Sequence, residues 1–293
     1  MADRFTVRFW GVRGGIPTPG PHMLRYGGNT SCVEVRCGDR LLVFDSGTGI
    51  RNLGEQLVLC GSASLALFYT HMHLDHVMGL PFFAPLYLGT TQLDIYGQQT
   101  AHGGPREALV KLMTHPLFPV ELEQCSARLQ FFGLKPGQEL DLGDGIKVIT
   151  GLLNHPGDAL GYRIEYRSRA VAHVTDTEHF ADRLDQNVVA LCKNVDVMTY
   201  DASYSNDEYC YKQGVGRKGW GHSTWEEAIR VAVAANAKKL VLFHHDFTHT
   251  DADLDSIRDG AMLAHNNVIL AQEGMEIDVA TGTYVVIPRS SVI

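Results

Sequence analysis

Tyr69-Thr70-His71-Met72-His73-Leu74-Asp75-His76 reads H-x-H-x-D-H, directly after the apolar run Leu65-Ala66-Leu67-Phe68-Tyr69. An apolar run of that length bounded by polar residues predicts a buried strand. His71 and His73 stand two apart at its exit, so extended geometry points both the same way. Asp75 and His76 follow in the turn, ahead of a helix expected to begin at Val77-Met78-Gly79-Leu80. Imidazole and carboxylate are the usual ligands of zinc and other borderline divalent metals. A single histidine here would be read as solvated or satisfied in the core. Packing gives no reason for three histidines and an aspartate at this spacing, and the cluster predicts a metal centre.

The surrounding chain has 293 residues, 45% hydrophobic and 20% charged, the composition of one ordinary globular domain spanning residues 1–293. Its formal net charge of −8 offers no basic field for a nucleic-acid backbone and argues against nucleic acid as a partner. The six cysteines, Cys32, Cys37, Cys60, Cys125, Cys192 and Cys210, show no C-x-x-C spacing. Met1-Ala2-Asp3-Arg4 leads into a strand-like segment without an apolar signal region, and no stretch reaches membrane-spanning length. A cytoplasmic protein with reduced thiols and no membrane partner is the expectation.

Upstream of the cluster, Phe5-Thr6-Val7-Arg8-Phe9-Trp10 alternates as a first strand and opens into the Gly/Pro-rich loop from Gly11 to Pro21. Residues 31–36 and 41–44 form a hairpin about Gly38-Asp39, and the second strand ends in Asp45-Ser46-Gly47. Asp45 also suits the N-cap of a helix near Ile50. Downstream, strands are expected at 93–97, 129–132 and 146–150, with a helix over 104–113. His102 and His115 fall outside any ligand pattern, His115 being placed at the rim. His155 follows one strand end, and Asp176 ends the strand of residues 170–175. Asp176 could alternatively cap a helix over 180–191. Asp201 ends a strand over 195–200. Gly221-His222-Ser223-Thr224 precedes a helix over Trp225–Ala235, whose start fits the capping box Ser223-x-x-Glu226. Its apolar stripe runs through Ala228, Ile229, Ala232, Val233 and Asn236. Lys239-Leu240-Val241-Leu242-Phe243 delivers His244-His245-Asp246, and a helix over 250–264 and two strands (275–279, 283–287) close the chain.

Polar residues at this many strand ends suit a sandwich that gathers ligands at one edge. Together with H-x-H-x-D-H, they make the chain resemble the metallo-β-lactamase superfamily, from the Trp10-Gly11 loop to His244. The resemblance implies an α/β (α+β) fold, a four-layer αββα sandwich with a metal site at one edge of its two sheets. It implies two divalent ions: His71, His73 and His155 on one, Asp75, His76 and His244 on the other, and Asp176 bridging. Zinc is the first expectation, manganese or iron the alternatives. Asp45 would brace the loop. Adjacent strand residues face opposite ways; Leu242-Phe243-His244 fits the family motif, which favours His244 over His245, with His245 or Asp246 in support.

Gly221-His222-Ser223-Thr224 and Gly161-Tyr162-Arg163-Ile164-Glu165 resemble the ribonuclease Z-like branch. There His222 would protonate the leaving oxygen, Asp201 would orient it, and Asp75 would hold or deprotonate the attacking water. A helix-capping role is the alternative for His222. Arg13, Arg25 and Gly14-Gly15 are expected along the substrate side. Only a short hairpin, residues 165–170, stands where that branch carries a long RNA-gripping arm. The expected activity is therefore hydrolysis of small phosphodiesters, cyclic nucleotides first, by hydroxide generated at the metals. Alternatives are a ribose 1,2-cyclic phosphate phosphodiesterase, an RNA 3′-end nuclease, or a thioesterase or lactonase of the same fold. The resemblance also implies a homodimer.

Overall fold

The computed structural model describes residues 4–59, 61, 64–101, 103–210 and 216–288, so Cys60 and His102 lie outside the described residues. Strands β1 (Phe5–Gly11), β2 (Cys32–Cys37), β3 (Arg40–Phe44), β4 (Ser64–Phe68), β5 (Gln92–Gln98) and β6 (Arg128–Leu134) belong to a first sheet. Strands β7 (Glu139–Asp141), β8 (Ile146–Leu153), β9 (Ala159–Tyr166), β10 (Arg169–Val174), β11 (Val197–Asp201), β12 (Leu240–Phe243) and β13 (Val268–Leu270) form a second. The chain then returns to the first sheet as β14 (Met275–Asp278) and β15 (Tyr284–Val286). The strand orders are β15-β14-β1-β2-β3-β4-β5-β6 and β13-β12-β11-β10-β9-β8-β7.

Inward side chains of both sheets share one core, in which Phe9, Phe44, Phe68, Tyr162, Ile164, Val171 and Phe243 meet. Aromatic stacking runs through it: Phe44 and Phe68 lie 5.3 Å apart, and Phe68 and Tyr96 4.5 Å. The opposite face of the first sheet packs on α1 (Ile50–Leu59) through Leu53, Leu67 and Ile95, and on α3 (Pro105–Leu112) through Leu109, with α2 (Leu74–Val77) between them in the chain. The outer face of the second sheet packs on α4 (Gln186–Leu191), α6 (Trp225–Ala235) and α7 (Asp251–Ala264). Short α5 (Asn206–Tyr209) precedes α6. Helix, sheet, sheet, helix is the sandwich expected from the sequence. Among the described residues no helix is long and apolar enough to cross a membrane, and all described cysteines are free.

Local readings needed correction at helix starts. The helix after the histidine motif begins at Leu74, not Val77, so Asp75 and His76 lie on it. An acid in the first turn favours that start by complementing the helix dipole. Of residues 180–191 only α4 is helical, because Asp185 caps it by accepting from Asn187 and Val188 N–H. Asp176 is thereby not a cap. Helix α6 is capped by Thr224, which accepts the Glu227 N–H, while the buried Ser223 hydroxyl is engaged with His179 Nδ1 at 3.0 Å. On that helix Val231 and Ala235 are buried and Val233 is exposed, a stripe shifted from the one expected. Strands β7 and β13, three residues each, lacked enough length to register in the sequence.

Candidate metal centre

The ends of strands from both sheets meet at one edge. The first sheet contributes Asp45 after β3 and residues 71–76 after β4; the second contributes His155 after β8, Asp176 after β10, Asp201 on β11 and His244 after β12. Asp45, Asp176 and His244 have φ of 61°, 52° and 60°, the left-handed region that non-glycine residues seldom occupy. Each takes its place directly after a strand or one residue beyond, where the chain must turn sharply to aim a polar side chain inward.

The ligand atoms of five residue sets lie within 4.8 Å of one another: His71, His73 and His155; Asp75, His76 and His244; His71, His76 and Asp176; and two that include His222, with His155 and Asp176 and with Asp201 and His244. Their tautomers follow from their other partners. A carbonyl oxygen only accepts, so His155 Nδ1 donates to Gly221 O at 2.8 Å, and its Nε2 lone pair faces His73 Nδ1 at 3.0 Å. His76 Nδ1 donates to Asp45 at 2.7 Å, and its Nε2 faces His244 Nε2 at 3.3 Å. His71 Nε2 is buried with no hydrogen-bond partner, 3.7 Å from Asp176 Oδ2. Unpaired imidazole nitrogens aimed at one another around a carboxylate are what a cation between them would satisfy.

Electrostatics agree. Burial lowers His71 and His155, which favours the neutral, ligating form. Burial works against ionised Asp176, yet His244, His76 and His71 hold it well below the usual carboxylate range. His76 is pushed up against its burial by Asp176, Asp75 and Asp45. This excess of buried negative charge is the demand a divalent cation meets. The residues present fit the group.

Asp45 braces this cluster. Its carboxylate accepts from Thr70 N–H (2.8 Å), the Thr70 hydroxyl, the Ser31 hydroxyl (3.2 Å) and His76. These partners occupy it, so it is not the cap of α1. Asp45→Ala would leave these buried donors unpaired and should cost about 3 kcal/mol or more of stability. Chemical denaturation reads this directly, and a loss below about 1 kcal/mol would contradict the bracing role.

His244 turns into the cluster, 3.4 Å from Asp75 and 3.3 Å from Asp176. His245 turns away to the Ala271 carbonyl at 2.9 Å, and Asp246 accepts from Thr248 N–H. Neither supports His244. That task falls to Ser203, whose hydroxyl lies 3.2 Å from His244 Nδ1 and donates to Asp201. His222 Nδ1 lies 2.9 Å from Asp201 Oδ2 and 3.8 Å from Asp176. His115 is exposed.

Of the residues expected along the substrate side, the glycines are there and the arginines are not. Gly15 N–H donates to Asp75 at 2.7 Å. Arg13 is fully buried and spends its guanidinium on the Gly27, Asp246 and His249 carbonyls, stapling loops together. Arg25 pairs with Asp255 on α7. Gly14 lies so near the His244 ring that an added Cβ would stand 2.2 Å from its Cε1. Gly14→Ala should therefore shift His244 and lower turnover by about 10²-fold; unchanged kcat and metal content would refute the contact's importance.

The family model described as "Beta-lactamase superfamily domain" matches residues 41–245. Ribonuclease Z of Archaeoglobus fulgidus is 23% identical over 94% of this chain and 98% of its own. Ribonuclease Z of Synechococcus sp. is 28% identical over 85% of this chain and 77% of its own. The crystal structure of the short form of human tRNase Z superposes with a TM-score of 0.60 at 21% identity, covering 94% of this chain and 99% of that one. Curated relatives that match nearly end to end, such as that of Archaeoglobus fulgidus, are named ribonuclease Z, which overturns the expectation that nucleic acid is not a partner. Net charge averages the whole surface, and says little about the field at one sheet edge.

Proposed function

Because this chain belongs to the β-lactamase superfamily, we propose that it is a two-metal phosphodiesterase that cuts RNA, releasing a ribose oxygen protonated by His222. The chain is a metal-dependent hydrolase, and the proposal concerns the bond it cuts. The observation that carries it is the His222–Asp201 pair beside Asp176, a proton donor where a phosphodiester needs one. The ribonucleases among its relatives support an RNA substrate.

His71, His73 and His155 would hold one ion, Asp75, His76 and His244 the other, with Asp176 shared; zinc suits these donors, and manganese or iron are compatible. Such a pair of divalent ions clamps a phosphate and makes hydroxide available at neutral pH. Asp75, fixed by the Gly15 N–H, would hold or deprotonate the attacking water. His222 keeps Nδ1 on Asp201, which leaves its Nε2–H free for the departing oxygen.

A second reading rests on the β9–β10 hairpin. Its turn is only Arg167-Ser168, so nothing projects there to grip a folded RNA. Cyclic nucleotides or a ribose 1,2-cyclic phosphate would suit such a site. The deciding assay offers metal-analysed protein a 3′-extended RNA, a panel of cyclic nucleotides, bis(p-nitrophenyl) phosphate, and a thioester and a lactone. RNA cleavage supports the main reading, and turnover of cyclic diesters alone the second. Hydrolysis confined to the thioester or lactone would refute both.

A further inference from the structure

We propose that Glu178 is a positioning residue: its carboxylate fixes the loop that presents His222 and orients His155. The inference rests on the phosphodiesterase reading only for its kinetic test. The backbone of Glu178 is pinned to the His155 segment, its N–H donating to Asn154 O and its carbonyl accepting from Asn154 Nδ2, both at 2.8 Å. Its carboxylate then gathers three donors. Oε1 accepts the Tyr209 hydroxyl at 2.6 Å and Gly219 N–H at 2.7 Å, and Oε2 accepts Gly221 N–H at 2.9 Å.

Among the described residues the Gly219–Gly221 loop is otherwise held by the Trp220 N–H donating to Arg217 O at 3.1 Å and by the Arg217 guanidinium 4.6 Å over the Trp220 ring. Gly219 and Gly221 have φ of 84° and 85°, and Trp220 between them is 48% exposed, so burial does not fix the turn. Yet this loop sets two groups at the centre. Gly221 O receives the His155 Nδ1–H, and the next residue is His222, held to Asp201. Gly221 also cannot carry a side chain, since a Cβ would stand 2.3 Å from His155 Nδ1. One carboxylate outside the metal-ligand cluster thus ties a ligand histidine and the proton donor to the same backbone.

A carboxylate is required because it can accept all three bonds. The amide of Glu178→Gln offers one oxygen, and its NH2 would face a backbone N–H of the loop in either flip. The loop should loosen while the core is unchanged.

The test compares Glu178→Gln, His222→Ala and the double variant on two diesters. One releases p-nitrophenolate, which needs no proton; the other releases a ribose oxygen, which does. Glu178→Gln should lower kcat on both esters through His155, and about tenfold or more further on the ribose ester through His222. On the ribose ester the double variant should lose, beyond His222→Ala alone, only the factor that Glu178→Gln costs on the nitrophenyl ester. Equal losses on both esters, or fully additive losses in the double variant, would overturn the proposal. In 15N-histidine-labelled protein the Nδ1–H resonances of His155 and His222 should shift or broaden in Glu178→Gln; unchanged resonances would also overturn it. If the wild type cuts no phosphodiester, the functional reading fails and these resonances alone decide the role of Glu178. Should the glutamine variant not fold, Glu178→Asp, whose carboxylate falls one methylene short, is judged by the same measurements.

Discussion

His222→Ala is expected to lower kcat by roughly 10²–10⁴ on substrates that release a ribose oxygen, with the bound metals retained. The metals stay because His222 stands outside the sets of His71, His73, Asp75, His76, His155, Asp176 and His244 assigned to them. The carboxylates around His222 favour its charged form. Burial opposes this, but Asp201, Asp176 and Asp75 together push its pKa up to about 9. Cations held by Asp75 and Asp176 would offset those two carboxylates and leave Asp201 as its chief counter-charge. A proton donor works below its pKa and fails above it. Turnover of the ribose ester should therefore fall on the alkaline side, at or below about pH 9, and Asp201→Asn should move that limb to lower pH. A bell unchanged by Asp201→Asn, or full activity in His222→Ala, would return His222 to the bland role of a residue ahead of a helix.

The second large effect is expected from removing the ions or their shared carboxylate. The proposed ligands come from both sheets, so bound ions join the two halves of the sandwich at one edge. An ion present at about a thousand times its Kd adds about 4 kcal/mol of stability, which for a chain of this size is roughly 10 °C in Tm. Chelation should lower Tm by that order, and adding back zinc, manganese or iron should restore it in order of affinity. Asp176→Ala should cause a similar drop, abolish the response to chelator and reduce turnover at least 10³-fold. Asp176 faces His71, His76, His155, His222 and His244, so its loss leaves five imidazoles without their common acceptor. Metal analysis beside calorimetry checks this. A chelated, metal-free protein melting at the original temperature would show that the cluster holds no structural ion.

The H-x-H-x-D-H cluster was legible because four polar residues within six positions have no packing explanation. The partners from the second sheet were not legible in the same way. His155, Asp176 and His244 each follow an ordinary strand, and it took a family resemblance to join them. The supporting groups left no trace in the sequence. Ser203, Thr70 and Glu178 are common residues at uninformative spacings, and their roles arise only when segments 24 to 43 residues apart come together. Arg13 misled for a related reason: an arginine in a glycine-rich loop reads as a substrate contact, whereas the fold turns it inward onto three carbonyls. For His244 and His245 alternation said only that one of the two could face inward, and the family motif chose His244; both lie beyond β12, where left-handed backbone at His244 makes the turn.

The left-handed backbone at Asp45, Asp176 and His244 bears on how this protein could be engineered. Glycine would suit each of these three φ values better than the residue found there, and for a side chain such strain is worth about 1 kcal/mol per position. A search for thermostable variants that scores backbone fit alone would thus select glycine at the three places where it erases the chemistry. Stability screens on this fold should hold positions 45, 176 and 244 fixed, and seek their gains on the outer helices.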